Sequence, residues 1–231
     1  MFIRKVTVNW RYTFGEIAII VIGILIAIAL DNCNDARNAG RLESEYIARL
    51  TEDLRTDTMT FGFVDRALTR KVAALSHADS IINARAALGD TLTFLQALIN
   101  AANFSWNQPR VRTTTFQELQ STGNLRLISD PEIRAMIVRY YTSAEGDYLR
   151  IAARQTRYGD LTYELLPRKD EFVLDSTAAR SRMSSLTNSV LRSDISGAIM
   201  AERNYATFVR SMNAGLQQRA LELLARLATG D

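Results

Sequence analysis

Ile17-Ala18-Ile19-Ile20-Val21-Ile22-Gly23-Ile24-Leu25-Ile26-Ala27-Ile28-Ala29-Leu30 is an unbroken run of fourteen apolar residues, Gly23 included. Extended back to Tyr12, it covers nineteen positions with one charge, Glu16. At 1.5 Å per residue a helix of that length spans about 28 Å, close to the ~30 Å hydrocarbon core of a bilayer. Trp10 and Tyr12 stand where an aromatic belt belongs, and Arg4, Lys5 and Arg11 complete the interfacial anchor. Glu16 falls in the first turns, where the positive end of the helix dipole tolerates a carboxylate. A proton-handling Glu16 is the sharper alternative.

The expected organisation is therefore a short N-terminal cytoplasmic segment (residues 1–11), a transmembrane helix (12–31) and a helical-bundle domain outside the membrane (32–231). Arg4 and Lys5 resemble the n-region of a secretory signal, and Ala27-Ile28-Ala29 resembles a cleavage site. Against cleavage, the apolar run is at the long end for a signal peptide. Asp31 and Asn32 before Cys33 also spoil a lipoprotein signal. An uncleaved signal anchor is expected. Three basic residues precede the span, whereas Arg37 and Arg41 follow it in the company of Asp31 and Asp35. The positive-inside bias thus puts the N-terminus in the cytoplasm and the bulk of the chain outside it.

The chain has 231 residues, 47% of them hydrophobic, which suits one cored domain of about 200 residues behind the anchor. Its net charge of +3 comes mostly from the residues before the span. The soluble part has no global field for nucleic acid, and none is expected as a partner. The lone Cys33 excludes an internal disulfide.

Beyond the span, apolar residues recur at helical spacing. Ile47, Leu50, Leu54, Phe61, Val64, Leu68, Val72, Leu75 and Ile82 stripe one face of a long helix between Arg41 and Gly89, interrupted at Asp57 and Ala78. Asp90 is positioned to cap a short helix carrying Leu92, Leu95, Leu98 and Ile99. The pattern lapses between Asn103 and Arg112. Thr115-Phe116-Gln117-Glu118 reads as a capping box opening a short helix that stops at Gly123. Asp130-Pro131-Glu132 opens the next helix, striped by Ile133, Ile137, Tyr140, Ala144, Tyr148, Ile151 and Tyr158 until Pro167 ends it. A last long helix is expected from Asp194 to Gly230, carrying Ile195, Ala198, Tyr205, Val209, Met212, Leu216, Leu223 and Leu227. No segment alternates like a strand. The expected fold is all-α: one N-terminal transmembrane helix followed by an elongated antiparallel helical bundle with coiled-coil-like packing.

Two blocks resemble an uncharacterised family of bacterial single-span membrane proteins, a domain of unknown function. The first is Gly15-Glu16-Ile17 with Val21-Ile22-Gly23-Ile24-Leu25-Ile26-Ala27, then Asn32 to Asp35 and Arg37. The second is Thr114-Thr115-Phe116-Gln117-Glu118-Leu119-Gln120-Ser121-Thr122-Gly123-Asn124-Leu125-Arg126-Leu127-Ile128, followed by Tyr140-Tyr141. Where Cys33 stands, the family's usual residue is aromatic. The resemblance implies topology and carries no activity.

Motifs for chemistry are missing from the sequence. A single His77 leaves no His-paired di-iron site, three-His zinc site or bis-His haem, and no Gly-x-Ser-x-Gly or phosphate-binding glycine loop occurs. No catalytic residue, cofactor or metal is expected, and the chain is read as a non-enzyme. Met183, Met200 and Met212 read as core filler. Arg150, Arg154 and Arg157 share a helix face that suits an acidic partner or, more simply, a solvated face paired with Asp147 and Glu145. Glu43, Glu45, Glu52 and Asp53 read as the wet side of their helix. Phe104, Trp106, Pro109, Arg110 and Arg112 form a candidate partner-contact loop, with tucking of Phe104 and Trp106 into the bundle as the alternative. Gly23 and Ala27, four apart, make a small-xxx-small patch with Gly15 two turns earlier, a candidate contact for another transmembrane helix.

Two functional classes follow. The first is a non-catalytic accessory or scaffold subunit that docks onto other membrane proteins of a larger complex, with self-association through the membrane helix as a further route. Respiratory and photosynthetic reaction-centre or light-harvesting complexes gather such chains, although no residue singles one out. The second is an extracytoplasmic ligand-sensing bundle, which would need a partner chain for its output.

Overall fold

The computed structural model describes residues 10–83, 97–98, 101, 110–154, 156–165 and 189–229. Among them there is no strand, and five helices have described bounds: α1 (Trp10–Asn83), α2 (Thr114–Ser121), α3 (Pro131–Ala152), α4 (Tyr158–Leu165) and α5 (Ser189–Ala228), with a 3-10 turn at Asn124–Leu127; residues 97, 98 and 101 are helical too. The long apolar run and the first bundle helix are one continuous helix of 74 residues. No Pro or left-handed glycine intervenes between them, so nothing in the backbone forces a break there.

The stripe on α1 faces inward as expected: Leu50, Leu54, Phe61, Val64, Leu68, Leu75 and Ile82 are buried, and Ile47 and Val72 partly so. Helix α5 packs along α1 in the opposite direction. Its Arg203 meets Asp79, Glu202 meets Lys71, Arg210 meets Asp65, and Asn213 meets the Phe61 carbonyl. Helix α3 is likewise antiparallel to α5, with Arg226 on Asp130 and Glu132 at one end and Arg219 on Asp147 further along. It follows that α1 and α3 run the same way. The core has three stretches along this axis. The one nearest the span packs Leu50 and Leu54 with Leu119, Ile137, Leu216 and Leu223. The middle one centres on Val64, Leu68, Ile151 and Val209. The distal one packs Leu75 with Leu98, Tyr158 and Ile199.

Local signals placed two helix ends. Gly123 stands at φ 69°, the left-handed conformation expected where the short helix stops. Asp130 caps α3 by accepting from the backbone N–H groups of Glu132 (2.7 Å) and Ile133 (3.2 Å), with Pro131 in the first turn. One expectation fails. The stripe from Ile133 to Tyr158 does not belong to one helix running to Pro167, because α3 ends at Ala152 and α4 starts at Tyr158. The turn closes with Arg154 N–H on the Ile151 carbonyl at 3.1 Å. Contacts across to α5 hold the break: the Arg154 guanidinium lies 3.9 Å above the Phe208 ring, and the Thr156 hydroxyl donates to Glu202. The last helix begins at Ser189 rather than Asp194. The helix expected after Asp90 lies almost wholly outside the described residues.

Candidate functional site

Two features of α1 bear on function: its bare apolar N-terminal part, and the polar seam by which α2, the 3-10 turn and the start of α3 grip its other half.

No residue in the most apolar window of α1 is buried. Ile19, Ile20, Val21, Ile22, Ile24, Leu25, Ile26, Ile28 and Leu30 are all exposed, from 47% at Val21 to 73% at Ile19, all round the helix. This helix is long and apolar enough to cross a membrane. Gly23 and Ala27 are exposed within it, and a Cβ added at Gly23 would meet nothing within 4 Å. Trp10, Arg11, Tyr12 and Gly15 belong to α1, and only their backbone is described. Arg4, Lys5, Phe104, Trp106 and Pro109 lie outside the described residues. Beyond the apolar run, residues 31–38, Gly40 and Arg41 are exposed too, and Glu43 bonds to Ser129 ahead of α3. Residues 31–42, mostly exposed, are about 18 Å of helix at 1.5 Å per residue, a stalk between the apolar run and the bundle.

From Glu43 onward α1 presents polar groups to α2, the 3-10 turn and the start of α3. Glu43 accepts from the Ser129 N–H (2.6 Å) and hydroxyl (2.7 Å). Tyr46 donates to Glu118 (3.0 Å) and accepts from the Asn124 amide (3.0 Å). Arg49 forks onto both carboxylate oxygens of Glu118. The Thr115 hydroxyl donates to Asp53 at 2.6 Å. Asp57, buried, accepts from the Arg112 backbone N–H (3.0 Å) and from the Tyr140 hydroxyl (2.7 Å). Phe116 stacks on Tyr141 with ring centroids 4.3 Å apart.

This seam overturns the capping-box expectation. The helix starts at Thr114, with Thr113 as its cap residue and no side-chain cap bond. Thr115 and Glu118 turn instead toward α1, because a forked ion pair and a phenol hydrogen bond satisfy the carboxylate better than one backbone N–H. Glu43 and Asp53, expected on the wet side, are interhelical acceptors, whereas Glu45 and Glu52 are exposed. Arg112 contributes its backbone, and Arg110 stays on the α3 surface, donating to Tyr148 at 3.2 Å.

The electrostatics follow the packing. Bonds from Arg49 and Tyr46 hold the Glu118 carboxyl below its usual range, and bonds from the Ile133 and Glu132 N–H groups do the same for Asp130. Burial pushes Asp57 up, against the Tyr140 and Arg112 bonds that favour its charge. Burial raises Tyr140, Tyr141 and Tyr158 as well. The Tyr141 hydroxyl is buried with no hydrogen-bond partner. Residue spacing gave no sign of the Lys71–Glu202 ion pair, whose side chains are 2% and 4% exposed. Asp57, by contrast, announced itself as a carboxylate interrupting an apolar stripe.

Of the arginine face, Arg150 pairs with buried Asp147, Arg154 covers Phe208, and Arg157 is exposed. Met212 packs partly buried in the middle core, whereas Met200 is exposed, which corrects its reading as core filler; Met183 lies outside the described residues. His77 and Cys33 are exposed. Among the described residues, no three His, Cys, Asp or Glu side chains gather where a metal ion would fit.

A family model described as a family of unknown function (DUF6090) matches residues 16–159, which include the span from Glu16 onward and the whole seam. No curated protein and no solved structure matches the chain.

Proposed function

The chain belongs to the DUF6090 family, and we propose that it is a bacterial, non-catalytic, membrane-anchored accessory or scaffold subunit that docks onto and stabilises a larger inner-membrane complex. In this reading Arg4, Lys5 and Arg11 hold the N-terminus in the cytoplasm, and the bundle stands in the periplasm. The observation that carries it is the exposure of the span on every side. Lipid tails are as apolar as leucine, so helices associate in a bilayer through close backbone approach and polar groups. Gly23 and Ala27 offer such an approach to another transmembrane helix, of a partner or of a second copy. The test is affinity purification in mild detergent, with and without Gly23→Leu. The new side chain enters open space, so insertion and folding persist while co-purifying membrane proteins are lost. Unchanged co-purification would move the binding to the bundle, and absence of any co-purifying protein from the parent chain would refute the reading.

A second reading, a ligand-sensing bundle that acts through a partner chain, is favoured by one observation. An open groove of about 640 Å³ runs along α3, lined by Leu125, Pro131, Ala135, Val138 and Arg134, whose Nε is buried without a hydrogen-bond partner. A ligand that raises the melting temperature of the parent chain, and loses that effect in Ala135→Trp, would support it.

A further inference from the structure

The structure assigns the back of α1 as a docking face for a second copy of this chain inserted in parallel, continuous from the bilayer through the stalk and along the bundle. This rests on the proposed span for its membrane insertion. On the water-side part of α1 two bulky apolar side chains, Met59 (66%) and Phe63 (52%), are exposed one turn apart. At 3.6 residues per turn, eighteen residues make five turns, so positions eighteen apart lie on one line. Met59 lies eighteen beyond Arg41, which lies eighteen beyond Gly23. Phe63 stands likewise above Glu45 and Ala27. Leu30, Asn34, Ala48, Glu52 and Arg66 complete a strip within about 60° of arc, on the side away from the α1 core stripe. Every one of these residues is exposed.

An occupant of this strip must offer a close-approach surface in lipid, polar groups beside the stalk and apolar groups about 44 Å beyond Leu30, all on one helix. A second copy inserted the same way presents each of these at the matching height. Arg41 of each copy meets Glu45 of the other one turn on, giving two reciprocal ion pairs that offset the like-charge contact of Glu52 with Glu52 on the Asn34 line. Asn34 meets Asn34, a polar pair of the kind that fixes register between parallel helices. Met59 and Phe63 then pack against their counterparts and leave water.

The experiment is disulfide trapping of the full chain in native membranes, in a Cys33→Ser background. Asn34→Cys, on the strip, is expected to give an oxidised band at twice the chain mass. Asp35→Cys, also exposed but about 100° round the helix from Asn34, should link several-fold less. Adding Met59→Asp and Phe63→Asp to Asn34→Cys should reduce the linked fraction several-fold with helicity unchanged, since both side chains are exposed. Equal linking at Asn34→Cys and Asp35→Cys, no linking at either, or linking untouched by the Met59/Phe63 changes overturns the inference. If nothing links while other membrane proteins still co-purify, this inference falls and the accessory-subunit reading stands. If the copies link and nothing else co-purifies, the reverse holds.

Discussion

The Tyr140 hydroxyl on α3 donates to the Asp57 carboxylate on α1 at 2.7 Å, inside the core and across 83 positions of sequence. Asp57 is 1% exposed, and the Arg112 backbone N–H is its other partner. A carboxylate in the middle of an apolar stripe is tolerated because two donors converge on it.

Tyr140→Phe should destabilise the bundle by about 2 kcal/mol at neutral pH, since it removes one donor from a buried charge. The sign of its pH dependence follows from the raised Asp57. A carboxyl raised in the folded state favours folding while protonated, and loses that contribution as pH climbs through its folded-state value. Removing Tyr140 raises Asp57 further, so the deficit of the variant should shrink as pH falls toward the acid range. Urea unfolding of the full chain in detergent at neutral and mildly acid pH measures this. A deficit that grows on acidification would contradict it.

Glu118 and Asp130 have the opposite sign. Both carboxyls are held low in the folded state, so their contribution is present above their unfolded values and fades as pH falls through the folded ones. Glu118→Gln should flatten the loss of melting temperature below about pH 4.5. Circular dichroism melts across that range check it, and an unchanged slope would detach Glu118 from the acid response.

Lys71→Met alone should cost about 3–5 kcal/mol, because Glu202 would remain buried and charged with the Thr156 hydroxyl as its described donor. The double variant Lys71→Met/Glu202→Leu should recover most of that loss. Denaturant midpoints for the two variants decide the matter; a double variant as unstable as the single would mean that the pair itself is needed for packing.

Gly123→Ala isolates a backbone effect. The glycine stands at φ 69° with open space where a Cβ would go, so the methyl group clashes with nothing beyond its own backbone. The expected loss is about 1 kcal/mol, read as a lower unfolding midpoint. A neutral result would show that the turn relaxes to negative φ.

For topology, a reporter active only in the periplasm, fused after Asp231, should be active. Arg226 pairs with Asp130 beside the Ser129–Glu43 contact, so the end of α5 lies on the same side of the span as Glu43. Activity of a cytoplasmic reporter instead would invert the proposed orientation.

The apolar helix long enough to cross a membrane, the α1 stripe, the left-handed stop at Gly123 and the Asp130-Pro131 start were legible in the residues because each depends on neighbours within a turn or two. Composition alone identifies an apolar run, and a 3–4 spacing alone identifies a buried face. The partner of Glu118 was not legible in this way. Local spacing offered it a cap, and Arg49, 69 positions away, outcompeted that cap once folding brought α1 alongside. Nor does periodicity reveal the break after Ala152, since Tyr158 continues the stripe, while the contacts that hold the turn, Phe208 and Glu202, come from α5. The same holds for Lys71, which carries its charge in the interior because packing sets Glu202 opposite it. Short-range free energies are written along the chain; a buried charge or a broken helix is settled by the group that arrives from elsewhere, because its desolvation must be offset by that partner.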